Sequence, residues 1–297
     1  GEEYALSTLN EIETNIEKEK TRKKSYFSEL LNRDLRWILI IGLGIAALQQ
    51  LSAINAILYY APIIFETAGG GRDAAFMQAV IIGLVNLVFT IVAMFLIDKL
   101  GRKPLLIIGL LGIIFAYVIS AFAFFKAEYK ITAESLDKIS VELSKDTKIA
   151  PEKSISIIQA LSTMKDVQYT SEIKFFNDVK AKTGDSYNET KNIVLKNSIN
   201  MNAILVLMGI LIFIASFAIS LGPVTWALLS EVFPNHIRGL AISVAGTFNA
   251  LVSATVVTVF PAELAKFGSG ATFAIFAAIC FVGLLFVLKY IPETKGK

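Results

Sequence analysis

Six long apolar stretches divide the chain, and each is about long enough to cross a bilayer as a helix. They lie at roughly 37–62, 76–97, 104–125, 201–227, 238–261 and 271–291. About 20 consecutive apolar residues span the hydrocarbon core as an α-helix. Transmembrane barrels show short segments of alternating polarity instead, and only helices and closed barrels satisfy every backbone polar group in lipid. The pattern therefore predicts an all-α, polytopic membrane helical bundle with six transmembrane helices.

The composition narrows the class of protein further. Hydrophobic residues make up 55% of the 297 positions and the mean hydropathy is +0.62, which excludes an ordinary soluble domain. The net charge of +3 is small, and no basic patch with interleaved aromatic residues suggests nucleic acid. The single cysteine, Cys280, allows no internal disulfide. The spans contain no paired carboxylates, metal-ligand cluster or nucleophile triad, so we expect neither an enzyme nor a cofactor.

The polar segments between these stretches give the domain organisation. Residues 1–34 are predicted to be a cytoplasmic, helical juxtamembrane segment that precedes the spans. Helices one to three occupy 35–125, a large extracytoplasmic loop or cap occupies 126–200, helices four to six occupy 201–291, and a cytoplasmic tail occupies 292–297. Because the first residues, GEEYALSTLNEIE, lack an initiator methionine, we expect the chain to begin within a longer protein.

Charge in the short loops predicts the orientation in the membrane. The cationic ends are the basic N-terminal segment, DKLGRKP (98–104), SEVFPNHIRG (230–239) and KYIPETKGK (289–297). The alternate loops, 66–73 and 262–270, carry little charge. Positively charged loops stay in the cytoplasm. All four cationic ends then lie on one side, as six spans with both termini inside require. We expect a multi-pass protein of the cell membrane, the inner membrane if it is bacterial.

The long loop at 126–200 is exceptional in being polar and extended. Its 12 lysines and 11 acidic residues nearly balance, so it carries no strong field. Apolar residues recur at 155–164 and 172–179, which indicates two or three short helices. The loop is predicted to be either a small cap domain or a mobile insert. Asn188-Glu189-Thr190 fits a glycosylation acceptor, a pattern common by chance.

Three carboxamides lie inside the first apolar stretch, at Gln49, Gln50 and Asn55. An amide in hydrocarbon costs several kcal/mol unless it is hydrogen-bonded. Such residues often bond neighbouring helices, but three amides within seven residues, followed by two tyrosines, favour a ligand site. A carboxamide offers two donors and an acceptor and can grip a vicinal diol without charge. On a straight helix Gln49 and Asn55 would point about 240° apart, so a shared ligand requires a broken helix.

Other polar residues lie at mid-membrane depth in later spans. They are Asn86, Trp226, which follows a Gly-Pro break, and Asn249, with Ser253 one turn further on. Pro223 is predicted to kink span four near Trp226. The face of the indole could stack on the C–H surface of a sugar ring, although packing alone is the alternative. Asn86 by itself fits helix-to-helix bonding equally well.

Five motifs, in this order, resemble the sugar porter family of the major facilitator superfamily. They are QQLSAIN, YYAP, DKLGRK, GPVTWALLSEVFPNHIRG and PETKG. The resemblance covers the six spans and not the 126–200 loop. It implies a fold of twelve helices in two halves, of which this chain is the C-terminal half, and a missing N-terminal six-helix half as its partner.

The resemblance also implies roles for particular residues. The C-terminal wall of a monosaccharide site would comprise Gln49, Gln50, Asn55, Asn86, Trp226 and Asn249. Tyr59 and Tyr60 would belong to an outer gate that closes over the sugar. A cytoplasmic latch, which holds the outward-open state, would comprise Asp98, Gly101, Arg102, Glu231 and Arg238.

Some positions depart from the family's pattern. Ala53 stands where the family usually has glycine, which puts the flexibility of the break in doubt. Ala250 stands where many members have a second tryptophan, and Ser253 replaces an asparagine of some members, so the identity of the sugar stays open. His236, the only histidine, lies in a loop, where we expect a solvated side chain rather than a proton relay.

The sequence thus predicts alternating-access transport of a hexose or pentose across a lipid bilayer, with proton coupling undecided. The alternative is a sugar receptor or membrane adaptor that binds a partner through the 126–200 loop and moves nothing. The charged latch argues against this alternative, since a static receptor needs no switch.

Overall fold

A computed structural model describes Leu30 and residues 32–67, 72–145 and 149–295. Six helical segments are long and apolar enough to cross a membrane. They are Leu35–Pro62, Met77–Leu100, Arg102–Phe125, Ala203–Val232, Arg238–Phe267 and Ser269–Tyr290. The six-span prediction is therefore confirmed. Nearly all of the predicted juxtamembrane segment at 1–34 lies outside the described residues.

The membrane bundle is built from eight of the helices in the described part of the chain. In chain order these are α1 (Arg33–Leu51), α2 (Ile54–Thr67), α3 (Arg72–Leu100), α4 (Arg102–Phe125), α9 (Ala203–Ile219), α10 (Leu221–Val232), α11 (Arg238–Phe267) and α12 (Ser269–Tyr290). The remaining four lie between α4 and α9: α5 (Ala133–Lys145), α6 (Pro151–Ser162), α7 (Glu172–Thr183) and α8 (Tyr187–Ser198).

Two of the six spans are interrupted helices. The first consists of α1 and α2, which are separated by Ser52 and Ala53. The fourth consists of α9 and α10, which meet at Ser220, where φ is −128° and ψ is −96°. Pro223 lies in the first turn of α10, where its missing N–H costs no helical hydrogen bond. The sequence predicts a kink near Trp226; the interruption comes six residues earlier, at Ser220.

Small residues bring α4 and α9 close together. A Cβ atom on Gly109 would lie 1.8 Å from the Ser220 hydroxyl oxygen, and one on Gly209 would lie 2.2 Å from that of Ser120. Small residues let membrane helices approach closely and make van der Waals contacts. These contacts matter because the hydrophobic effect does not drive helices together in lipid.

The described residues between 126 and 200, which are 126–145 and 149–200, form a folded insert with a core of its own. Strands β1 (Glu128–Lys130), β2 (Gln168–Tyr169) and β3 (Ile199–Asn200) make an antiparallel sheet in the order β2-β1-β3. Helices α5 to α8 pack on it through buried side chains such as Ile139, Leu161 and Phe175, a cluster separate from that of the membrane bundle. The insert thus contains four helices and a sheet, against the two or three helices predicted.

Candidate functional site

Four carboxamides from two spans form one hydrogen-bonded group, which we call the amide cluster: Gln49, Gln50, Asn55 and Asn249. Gln50 Nε2 donates to Asn249 Oδ1 at 3.0 Å and to Gln49 Oε1 at 3.4 Å, and Asn249 Nδ2 donates to Gln49 Oε1 at 2.9 Å. Asn55 Nδ2 donates to Gln50 Oε1 at 2.9 Å. The four side chains therefore meet at one place rather than bonding to separate neighbours.

The interruption between α1 and α2 makes this convergence possible. Gln49 and Gln50 end α1, while Asn55 begins α2 beyond Ser52 and Ala53. Ala53 has a φ of +60°, in the left-handed region that costs a non-glycine residue about 1–2 kcal/mol. The residue is completely buried and the turn around it is tightly packed. The broken helix that the sequence requires is therefore present, with Ala53 held at the strained position.

Tyr117 supports the interruption from α4, and sequence reasoning missed it. Its hydroxyl donates to the carbonyl oxygen of Ser52, which the helix no longer pairs. Its ring is buried among Phe213, Phe273 and Phe276. A tyrosine in the middle of a span needs a polar partner for its hydroxyl, and this requirement is the signal that could have identified it.

Further bonds attach the amide cluster to the surrounding helices. Gln49 Nε2 donates to the carbonyl oxygens of Leu221 at 2.8 Å and Gly222 at 3.2 Å, at the start of α10. Asn249 Nδ2 donates to the Ala46 carbonyl at 2.8 Å, and Asn55 Nδ2 donates to the Ser253 hydroxyl at 2.7 Å. The cluster thus joins both interrupted spans to α11.

The amide cluster can still accept hydrogen bonds, but all of its N–H groups are already donating. The eight N–H groups of the four amides match eight hydrogen bonds. Gln49 and Asn249 are only 4% and 7% exposed, whereas Asn55 is half-buried and its Oδ1 accepts no bond from the described residues. The hydroxyl groups of a neutral ligand could therefore donate hydrogen bonds to the amide oxygens. The cluster contains no charged side chain that would attract an ion instead.

Trp226 borders the cluster through α11. Its indole, 41% exposed, lies over Gly246, where an added Cβ would be 3.8 Å from the ring. Gly246 precedes Asn249 by one turn of the same helix. A partly exposed apolar ring therefore lies against α11 one helical turn from Asn249.

Asn86 lies apart from the amide cluster. It is exposed on α3, and its side chain makes no hydrogen bond with the described residues, while its carbonyl accepts from Thr90 at 2.7 Å. The structure does not bring it together with the other predicted site residues. An amide without a hydrogen-bond partner is costly in hydrocarbon.

Charged side chains form a second cluster at the opposite end of the bundle from the insert. Arg102 binds Glu231 through two nitrogens, at 2.6 Å from Nη2 to Oε1 and 3.1 Å from Nε to Oε2, and lies 3.6 Å from Asp98. Arg238, by contrast, donates to the Phe233 carbonyl at 3.3 Å within its own loop. Four of the five predicted latch residues therefore come together: Asp98, Arg102 and Glu231 through their side chains, and Gly101 as the neighbour of Arg102. The fifth, Arg238, does not join them.

Glu293 completes this charged cluster, although it was not among the predicted latch residues. Its carboxylate accepts from the backbone N–H groups of Arg102 and Lys103 at 3.0 and 3.1 Å, so it caps α4. Burial alone would raise the pKa of Glu293, but these bonds and those from Lys295 and Thr294 lower it. Gly101 has a φ of +93°, and an added Cβ would lie 2.8 Å from Glu293 Oε2. The turn therefore requires glycine for two separate reasons.

In the part of the chain that the structure describes, no three His, Cys, Asp or Glu side chains form a group able to hold a metal ion. The side chains of the amide cluster are all neutral.

Comparison with known proteins agrees with this arrangement. Residues 1–139 and 189–297 match the family profile described as "Sugar (and other) transporter". The chain belongs to the sugar transporter family. This match confirms the family resemblance that the five sequence motifs indicated. It also confirms the prediction of a multi-pass membrane protein.

Several sugar transporters are similar to the chain along most of its length. It is 30% identical over 266 residues to the D-xylose-proton symporter of Escherichia coli (strain K12), covering 88% of this chain and 39% of that protein. It is equally identical, over as many residues, to the glucose facilitated diffusion protein of Zymomonas mobilis, covering 88% of this chain and 41% of that protein. The chain thus spans about two fifths of the length of these relatives.

Solved structures of the family share the fold. A proton:xylose symporter of the major facilitator superfamily, bound to 6-bromo-6-deoxy-D-glucose, superposes with a TM-score of 0.55. It is 30% identical, and the match covers 88% of this chain and 41% of that one. The six spans therefore have the arrangement of part of a sugar transporter.

The two predicted gate tyrosines of this sugar transporter chain lie on α2, beyond the amide cluster. Tyr59 is exposed, whereas Tyr60 is half-buried and stacks on Phe260 of α11 with ring centroids 5.5 Å apart. Tyr59 follows Asn55 by one helical turn and shares its face. Tyr60 is thus packed against α11 of its own bundle, while Tyr59 is exposed.

Proposed function

We propose that this chain forms the C-terminal six-helix half of a twelve-helix monosaccharide transporter that works by alternating access. The amide cluster forms the C-terminal wall of its sugar site, together with Trp226 and, from α3, Asn86. The observation that carries the proposal is the convergence of four neutral amides beside an exposed indole, halfway through the spans.

The chemistry of the cluster fits a hexose or pentose. Its amides can exchange their mutual hydrogen bonds for those of vicinal hydroxyls, and the indole offers an apolar face to the ring C–H groups. A site that bonds hydroxyls also rejects analogues that lack them. Asn86 gains a partner when a sugar, water or the other half of the transporter meets its face of α3.

The charged cluster has a different role in this proposal. Arg102, Glu231 and Asp98 join the ends of α3, α4 and α10, and Arg238 lies in the adjoining loop. By the excess of cationic residues in these loops, this end faces the cytoplasm, and the insert then lies outside the cell membrane. The charges act as a latch, because partly desolvated opposite charges stabilise only the state in which the helix ends meet.

The decisive experiment measures sugar uptake by the complete transporter in proteoliposomes, with D-xylose and D-glucose as probes. Gln50→Ala and Trp226→Ala are each expected to abolish uptake without changing membrane insertion. Gln78→Leu is the matched control, because Gln78 is buried in a span, makes no hydrogen bond with the described residues and lies outside the cluster. Uptake at the parent rate by both site variants would refute the proposed site.

Proton coupling is tested separately, because the relatives include both a proton symporter and a facilitated diffusion protein. In the described spans, every Asp, Glu, Lys and Arg lies within a few residues of a helix end. We therefore assign any proton site to the N-terminal half. Uptake that responds to an imposed pH gradient shows coupling, and equal uptake with and without the gradient shows facilitated diffusion.

A further inference from the structure

The insert at 126–200 is docked on the membrane bundle, and most of it lies outside the pattern of the family. The family profile matches up to residue 139 and again from residue 189, which leaves the segment between unmatched. That segment includes α6 and α7, whose buried residues belong to the core of the insert. The contact of α7 with the spans therefore comes from a segment that the family profile leaves unmatched.

Glu172, the first residue of α7, anchors the insert to α12. Its carboxylate accepts from the backbone N–H of Ser269 at 2.7 Å and from the Ser269 hydroxyl at 3.1 Å. The N-cap of α12 is Gly268, which has no side chain to fill this role. A carboxylate at a helix N-terminus makes charge-assisted bonds with free N–H groups. The insert thus supplies the cap that α12 lacks.

A second contact of the insert reaches the gate helix. Helix α8 packs against α2, and α7 packs against α11. A cavity of about 440 Å³ lies at this junction, with Tyr60 and Ile64 of α2 on one side and Tyr187 and Leu195 of α8 on the other. The outer half of α2 is therefore held between the insert and α11, where Tyr60 stacks on Phe260.

Tyr59 of α2 is exposed, whereas Tyr60 of the same helix packs on α11, and α2 begins just after the interruption at Ser52 and Ala53. Closing over a bound sugar would swing the outer half of α2 toward the side on which Tyr59 is exposed, and away from α11 and α8. The contacts of the insert thus belong to the state in which α2 lies back.

We propose that the insert is a brace that holds the outer half of α2 back against α11 and so opposes closure of the gate over the sugar. The brace depends on the bond between Glu172 and Ser269, which fixes the insert to the bundle. This inference rests on the proposed function. A ligand that binds one of two states more tightly gains apparent affinity when a mutation removes a bias toward the other.

The first test weakens the anchor and measures sugar affinity in the complete transporter. Glu172→Ala is expected to lower the Kd for D-xylose or D-glucose by about fivefold, the lower end of common coupling energies. Glu142→Ala is the matched control, because Glu142 pairs with Lys196 at 3.0 Å inside the insert and touches no span residue through that bond. General damage to the fold would weaken sugar binding. Tighter sugar binding by Glu172→Ala would therefore distinguish the brace from a merely structural role of Glu172.

A reversible cross-link provides the complementary test. An added Cβ on Gly268 would lie 3.8 Å from the Cβ of Glu172, which is the mean Cβ separation in a disulfide. Glu172→Cys with Gly268→Cys is expected to show the parent Kd when oxidised and the lower Kd of Glu172→Ala when reduced. Gly268→Cys alone is the control, because a side chain at the φ of +79° of Gly268 is strained whether or not the cross-link forms. The natural Cys280 is buried and free, away from this pair.

Hydrogen exchange supplies a readout that does not depend on sugar. Residues 54–67 are expected to exchange faster in Glu172→Ala than in the parent or in Glu142→Ala, while the core of the insert stays protected. An unchanged or weaker sugar affinity in Glu172→Ala, or unchanged exchange of 54–67, would overturn the brace. Absence of sugar binding in the parent would instead count against the proposed function, and the exchange result would then decide on the brace alone.

Discussion

A carbonyl group that leaves a helix inside a membrane needs another hydrogen-bond donor, and Tyr117 supplies one to Ser52. The bond lies at the turn between Gln50 and Asn55, so it fixes the geometry of two members of the amide cluster. The aromatic surroundings of the ring hold the hydroxyl in place. Tyr117 is therefore expected to act on sugar binding through the backbone, without touching the ligand.

The variant Tyr117→Phe removes only this hydroxyl and leaves the buried Ser52 carbonyl without its partner. An unsatisfied buried acceptor costs about 1–3 kcal/mol. We expect the sugar Kd to rise by about tenfold, which corresponds to 1.4 kcal/mol, as measured by equilibrium binding to the complete transporter. Tyr290→Phe is the control, because that ring packs on Phe286 near the end of α12, far from the turn. An unchanged Kd in Tyr117→Phe would show that the turn holds its shape without the bond.

For single residues, the sequence predicted that the amides converge, but it did not predict which residues hold the helix interruption that brings them together. The angle between Gln49 and Asn55 on a straight helix already required an interruption between them. It did not reveal that Ala53 would adopt a positive φ or that Tyr117 would pair with Ser52, because both depend on side chains from another span. The sequence also did not show that Asn86 lies apart from the amide cluster. Neighbours outside the described chain decide what its face of α3 meets.

Among the elements, the ends of helices carry most of the specific chemistry. Glu172 caps α12 from the insert, and Glu293 caps α4 from the C-terminal segment. Hydropathy located the six spans because their length and composition are set by the bilayer. It did not place the interruption at Ser220, whose side chain lies against Gly109 of α4. The sheet of the insert was missed because its strands are only two or three residues long.

The cap on α4 predicts a pH dependence of stability. The folded state lowers the pKa of Glu293 below its ordinary value of 4.5. The folded protein therefore favours the carboxylate, and its contribution is complete above pH 4.5 and lost as the pH falls through the lowered pKa. Thermal unfolding should show Glu293→Gln less stable than the parent at neutral pH, with the difference shrinking below pH 4.5. A difference that persists or grows on acidification would contradict the role of the carboxylate.

Across the whole molecule, the spans differ in how far the described chain covers them: 11% of the apolar segment of α3 is buried, against 50% for α4. The exposed surface of α3 includes Asn86, Thr90 and Gly83, which share one face of the helix. Lipid tails offer no partner to an amide. An opposing protein surface or a water-filled cavity does, and the chain spans only about two fifths of the length of its relatives. We therefore expect this face of α3 to meet the N-terminal half.

Gly83 allows this expectation to be tested, because an added Cβ there has no neighbour within 4 Å. Gly83→Trp should leave membrane insertion of this chain unchanged yet abolish its copurification with the N-terminal half, and sugar uptake with it. Leu111→Trp is the control, since Leu111 belongs to an exposed apolar stripe of α4, with Ile108 and Phe115, that we expect to face lipid. Normal assembly of Gly83→Trp would mean that α3 faces lipid, and Asn86 would then have no place in the sugar site. Loss of assembly in Gly83→Trp alone would place the sugar path along α3, between the amide cluster and the other half.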